Sequence, residues 1–382
     1  MGEVPVSGVC RPGLEAVRDA FAANFVERGE VGAAVCVMIE GEVVVDLVGG
    51  WADEARTRPW QPDTLVDVYS VGKAIVATLV LQLVDGGVIG LDDPIASVWP
   101  AFGAAGKGGA TVRQALCHQA GVPAIRERLT NDDLWNWERM TSALAATEPW
   151  FEPGSRLVYH TNTYGHLVGG ILHHACGQRP GERLRAVAGA IGADFHWGLD
   201  AAMQARCADV IWAPASNPVD VDPFTVEGDF RLPAMGYFNP PGYSSHGVVN
   251  TPEWRGAQVP STNGHASARG VARLYAAMIG TVPGHAPLLS PSLLAEATRP
   301  QSEGFCPVLA EDVVFGLGFV PTNERRRFGG PGSFGHFGTG GAVGFADPDR
   351  GVAFGYVMNH VIPRWQSTRN RSLIDSLYAA LA

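Results

Sequence analysis

Residues 74–84 read Ala-Ile-Val-Ala-Thr-Leu-Val-Leu-Gln-Leu-Val. A helix with this sequence is apolar on every side, so protein must enclose it all round. It is too short to cross a membrane, and no apolar run elsewhere in the chain is long enough either. The fold must therefore build several layers around one buried helix. A chain of 382 residues, 46% of them apolar and 17% charged, has the length and composition to do so.

The flanking text names the layers. Residues 13–28 carry apolar side chains at helical spacing. Residues 32–39 and 43–49 are β-like runs separated by Glu40-Gly41-Glu42, which predicts a hairpin. Gly86-Gly87 ends the buried helix, and Leu91-Asp92-Asp93-Pro94 reads as a turn. Helices are predicted over 112–117, 132–147, 163–175, 179–191 and 266–279. The stretch 213–260, with little periodicity and several aromatics, reads as a functional loop or lid. Strands are predicted at 313–320, 342–347 and 352–358, and a closing helix at 366–381. The expected architecture is α/β (α+β). Residues 1–95 and 300–382 form a sheet domain from both ends of the chain, and 96–299 form an inserted, mostly helical domain with long loops.

Composition narrows the function. The net charge is −10, and the longest basic run is Arg325-Arg326-Arg327, which reads as a solvated loop; no nucleic acid is expected. The six cysteines stand far apart with no Cys-x-x-Cys pair, so neither a zinc site nor a disulfide scaffold is indicated. The N-terminus lacks a basic stretch followed by a long apolar run, so a cytoplasmic protein with no membrane partner is the expectation. Of the 28 basic residues only Lys73 and Lys107 are lysines. Arginine stays protonated in a protein, whereas a desolvated lysine can lose its proton.

Lys73 follows Ser70 by one helical turn at the head of the buried helix, which brings the amine within reach of the hydroxyl. The helix dipole and an apolar setting both lower a lysine pKa there. Neutral Lys73 could then take the serine proton and make Ser70 a nucleophile, with Gly72 leaving the approach open. A helix-capping serine followed by a surface lysine would give the same letters. Two further elements bear on the choice. Tyr159, after the turn Glu152-Pro153-Gly154-Ser155, could act as base or proton relay, or be an ordinary half-buried tyrosine. The late segment Gly335-His336-Phe337-Gly338-Thr339-Gly340-Gly341 could let substrate approach the backbone and offer an amide to an oxyanion. His336 could donate a hydrogen bond there or polarise Tyr159; a core histidine in a tight sheet bend is the alternative.

In this order along the chain, Ser70-x-x-Lys73, Tyr159 and His336-Phe337-Gly338 resemble the serine β-lactamase and penicillin-binding-protein superfamily. Within it the chain is most similar to class C β-lactamases and family VIII carboxylesterases. The resemblance extends over nearly the whole chain, through Leu91-Asp92-Asp93-Pro94, Leu116–Pro123, Pro153-Gly154 and Gly316-Leu317-Gly318-Phe319. It implies a class C β-lactamase-like fold, with an antiparallel sheet flanked by helices. Ser70 would be acylated, Lys73 and Tyr159 would share the general-base work, and the N–H groups of Ser70 and Thr339 would form the oxyanion hole. His336, Phe337, Gly338 and Asn162 would contact substrate.

Two departures steer the implied substrate. β-Lactamases carry Lys-Thr-Gly where this chain has His336-Phe337-Gly338, and Asn two residues after the tyrosine, where Thr161 stands with Asn162 next to it. Both changes resemble the esterase side. The expectation is a serine carboxylesterase acting on small or medium acyl esters, with no cofactor or metal and a small-molecule ester or acyl donor as partner. Acyl transfer in a natural-product pathway and weak β-lactamase or D-amino-peptidase activity are the enzymatic alternatives. A sensory domain that retains the fold is the non-enzymatic one. No Gly-x-Ser-x-Gly is present, so the α/β-hydrolase elbow is excluded.

Overall fold

A computed structural model describes residues 6–216, 221–362 and 365–382. Its main sheet is antiparallel and seven-stranded. The strands are β1 (Val6–Cys10), β2 (Gly32–Ile39), β3 (Glu42–Gly50), β4 (Val320–Pro321), β5 (Phe334–Phe337), β6 (Val343–Asp347) and β7 (Val352–Met358), in the spatial order β1-β3-β2-β7-β6-β5-β4. The centre of the sheet is the pairing of β2 with β7, in register from Ile39 opposite Val352 to Ala33 opposite Met358.

Helices cover both faces, and the strand alternation assigns each one. Gly344 and Gly355 face the helix Ala268–Met278, where a Cβ would run into Tyr275 or the Ala268 carbonyl. Phe345 and Phe354 stack on the other face, where Phe345 lies 6.5 Å from Tyr378 of the closing helix Thr368–Ala380. The helix Glu15–Glu27 packs beside that closing helix.

The apolar run forms the helix Val71–Asp85, buried along its length between β5 and the helices Thr163–Cys176 and Pro180–Ile191. Its enclosure on all sides is what its sequence demands. Elsewhere local chemistry moves the predicted boundaries. The helix predicted over 132–147 breaks in two because Asn136 caps a new start at Trp137. The strand predicted at 313–320 also divides: Glu311–Phe315 pairs with Ser302–Cys306 in a separate hairpin, and Gly316 and Gly318 turn the chain before β4. Within 213–260 the described residues contain the helices Arg231–Phe238 and Pro252–Gly256 and short turns, while residues 217–220 of that stretch lie outside the described residues. Among the described residues, no helix is long and apolar enough to cross a membrane.

A buried ion pair joins the two ends of the chain. Arg369 Nη1 lies 3.2 Å from Glu30 Oε1, with both side chains 1% exposed or less. Arg369 also donates to the carbonyls of Arg28, Gly29 and His360, and Tyr356 donates to Glu30. Burial pushes the Glu30 carboxyl up to about 7 while the guanidinium pulls it back. Removing one member strands the other in the core. Arg369→Met should therefore cost about 3–5 kcal/mol in urea unfolding. The double variant Arg369→Met/Glu30→Gln should recover part of that loss.

Candidate active site

The site starts at the strand that leads into the buried helix. Val66–Asp67 pairs with His265–Ala266, and Val68 N–H donates to Gly264. Tyr69 then takes a left-handed conformation, φ 49°. Its N–H donates to Asp67 Oδ1 at 2.8 Å, and Trp254 Nε1 donates to Asp67 Oδ2 at 2.9 Å. Asp67 thus holds the turn that presents Ser70. Burial raises its carboxyl to about 8, against the pull of those two donors. An Asp two residues before a non-glycine turn residue is the signal that sequence reading passed over.

Ser70, Lys73 and Tyr159 come together. Lys73 Nζ lies 2.9 Å from Ser70 Oγ, and Tyr159 OH lies 3.1 Å from the same oxygen. Lys73 is fully buried, its one other hydrogen-bond partner among the described residues is the Ser261 carbonyl at 3.0 Å, and desolvation holds its pKa well below the usual lysine value. Lys107, by contrast, donates to the carbonyls of Ala104, Ala145 and Thr147. Three acceptors suit an ammonium. One carbonyl and one hydroxyl leave an ammonium's third donor without an acceptor, so they suit a neutral amine better.

Gly72 does not open an approach to the serine, as its sequence position suggested. A Cβ there would run into the Pro260 carbonyl, and one at Gly165 would crowd Ser261 N. The two glycines let the segment 260–261 press against the helix and bring the Ser261 carbonyl to Lys73.

Tyr159 sits in an aromatic nest of His118, Phe315 and Trp365, with ring centroids 4.8, 5.5 and 5.3 Å away. Its N–H donates to Cys306 Sγ. Burial raises the phenol well above its usual pKa, so Tyr159 holds its proton. His118 and His160 behind it are pinned: His160 N–H donates to His118 Nδ1, and Val122 N–H to His160 Nε2. Burial lowers both imidazoles, His160 to about 4.

The glycine-rich element corrects three expectations. His336 Nδ1–H donates to the Phe337 carbonyl at 2.7 Å, and burial lowers the ring to about 3. That N–H is therefore not free for substrate, and the ring supplies no cation. Its centroid lies 6.4 Å from Tyr159, with no hydrogen bond between them. Phe337 turns into the core and stacks on Phe328 at 4.6 Å, and it is not part of the cavity that Ser70 lines. At Gly338 a Cβ would run into the Val68 carbonyl, so this glycine docks the strand end against the nucleophile turn. That approach sets Thr339 beside Ser70. Both line one cavity, and neither backbone N–H has a hydrogen-bond acceptor among the described residues.

The cavity holds about 240 Å³ and is walled by Tyr69, Trp212, Tyr237, Phe238 and Tyr243, with no charged side chain among the described residues of its lining. Asn162 borders it, but its amide is committed. Nδ2 donates to the Gly236 carbonyl at 2.8 Å and Oδ1 accepts from Thr262 at 2.7 Å. Asn162 thus ties the helix Arg231–Phe238 down as a lid. Thr161, one residue earlier, also lines the cavity, with its hydroxyl buried. Of the other aromatics within 213–260, Trp254 holds Asp67, and Phe230 is 77% exposed.

Comparison with known proteins gives the family of the chain. The Beta-lactamase family model matches residues 17–379, and the chain belongs to that family. The chain is 34% identical over 376 residues to the esterase/beta-lactamase LipL of Mycobacterium tuberculosis, covering 94% of this chain and 83% of that one. Among solved structures, a penicillin-binding protein homolog from Caulobacter crescentus is 37% identical with a TM-score of 0.89, covering 98% of this chain and 100% of that one. A family VIII carboxylesterase is 35% identical over the same shares of the two chains, also with a TM-score of 0.89.

The amine can serve as a base only when neutral. Activity should therefore fall as pH drops through the Lys73 pKa, and that limb should lie well below the ordinary lysine value. Lys73→Arg keeps a charge at every accessible pH and should lose roughly 10²–10⁴-fold in kcat throughout. A pH–rate profile of both proteins on a neutral ester checks this.

Proposed function

We propose that this member of the beta-lactamase family is a serine carboxylesterase, cleaving uncharged esters through an acyl-Ser70 intermediate. The observation that carries the reading is the uncharged, aromatic chamber with Ser70 on its wall and a neutral His336 behind it. A β-lactam brings a carboxylate that needs a cation, and none stands among the described residues of that lining. A neutral ester has no such need. The names of two relatives, an esterase/beta-lactamase and a family VIII carboxylesterase, support the same substrate class.

In the proposed reaction, neutral Lys73 takes the Ser70 proton as Oγ attacks the ester carbonyl. The developing oxyanion is held by the N–H groups of Ser70 and Thr339. Tyr159, kept protonated by its burial, gives its proton to the departing alkoxide and regains one from the Lys73 ammonium. The alcohol leaves and both groups return to their starting forms. Water in the vacated place then runs the steps in reverse. Its proton passes through Tyr159 to Lys73, hydroxide adds to the acyl carbon, and Ser70 Oγ leaves, recovering a proton from Lys73. An alcohol in place of water would give acyl transfer instead.

Ser70→Ala should lower p-nitrophenyl butyrate hydrolysis by at least roughly 10³-fold. Tyr159→Phe should lose about 10²–10⁴-fold, mainly in kcat, because it removes the acid and leaves the chamber intact. Wild-type turnover of nitrocefin should be at least about 10²-fold less efficient than that of the ester. Unchanged ester hydrolysis by Ser70→Ala would overturn the reading.

A further inference from the structure

The reaction chemistry gives the two sides of Ser70 a direction. At the tetrahedral carbon, the oxyanion points to the Ser70 and Thr339 amides. The leaving oxygen must lie against the Tyr159 hydroxyl to receive its proton. Trp365 packs edge-on against Tyr159 and lines a vestibule of about 730 Å³ that also carries Glu311, Arg325, Arg326 and Gln366. Thr339, Tyr237 and Trp212 line this vestibule and the 240 Å³ chamber alike, so the two spaces meet at the nucleophile. The leaving alcohol is thereby directed to the polar vestibule and the acyl group to the aromatic chamber. A third cavity, of about 610 Å³, lies on the far side of the chamber, and Phe238 and Ser244 line both.

We infer that the substrate joins a compact, uncharged acyl group to a larger polar alcohol, and that Phe238 is the wall limiting acyl length. This rests on the esterase reading and adds its specificity. An apolar cavity of about 150 Å³ holds a benzene, so 240 Å³ suits an acyl group of about six carbons or a benzoyl. Phe238 is held in place from both sides. Asn162 bonds Gly236 two residues before it, and Asn239 bonds Leu129 N–H and the carbonyls of Ile125 and Glu127 just after it. A rigid wall between two cavities limits chain length. Shortened, it would open one into the other.

The experiment measures kcat/KM for p-nitrophenyl acetate, butyrate, hexanoate, octanoate and decanoate with wild type, Phe238→Ala, Phe238→Leu and Phe238→Trp. Each variant's decanoate-to-butyrate ratio is internal to its own sample, so partial unfolding cancels. Wild type should fall off beyond hexanoate. Phe238→Ala should raise the ratio at least tenfold, Phe238→Leu less, and Phe238→Trp should lower it. In parallel, a series of butyrate esters with alcohols of rising size should keep its wild-type order in all three variants. An unchanged acyl profile in the active variants, or a change in the alcohol series instead, overturns the inference. Ser70→Ala on butyrate tests the esterase reading separately; full activity there would sink that reading whatever the ratios.

Discussion

The structure depends on taking one amine out of water. Lys73 is sealed in the first turn of a helix buried on all sides, and its partners are a serine hydroxyl and one carbonyl. No carboxylate bonds to it to hold the ammonium form, so desolvation decides its protonation. The same enclosure that the apolar sequence of the helix requires therefore disfavours the ammonium, as the proposed base role of Lys73 requires. Folding and chemistry draw on one constraint.

Much of the surrounding architecture keeps that setting dry and aligned. Gly72 and Gly165 admit the 260–261 segment, which carries the single carbonyl facing the amine. Asp67 and Trp254 fix the left-handed turn at Tyr69 that aims the serine. Gly338 brings the end of β5 against Val68, and Thr339 and Ser70 line the same cavity. The imidazoles of His118, His160 and His336 are all held neutral, so no protonated ring competes with Lys73 for charge. The Arg231–Phe238 lid, tied down by Asn162, completes a chamber with no formal charge among the described residues of its walls.

The sequence showed the parts that local pattern controls. The buried helix follows from its apolar run, the β2–β3 hairpin from two strands around Glu40-Gly41, and the serine–lysine pair from a one-turn spacing. Scarcity helped, since a chain with two lysines uses each for something, and both prove to be buried. What the sequence hid depends on contacts far apart in the chain. The committed N–H of His336, the core-facing Phe337 and the bridging amide of Asn162 are set by neighbours that no spacing rule reveals. Gly72 looked like an opening because sequence carries no record of Pro260. The lid helix stayed hidden because its residues answer to the cavity and to residues 125–129, so their apolar positions follow no single period.

The central claim, that Lys73 is a neutral amine beside Ser70, can be observed directly. With only two lysines in the chain, protein labelled with carbon-13 at lysine Cε gives two resonances, and a Lys73→Arg variant assigns them. Titrated by NMR, the Lys73 signal should change well below the ordinary lysine pKa near 10.4. A Lys73 signal that stays that of an ammonium up to the ordinary lysine range would contradict it, and would make a Tyr159 phenolate the base.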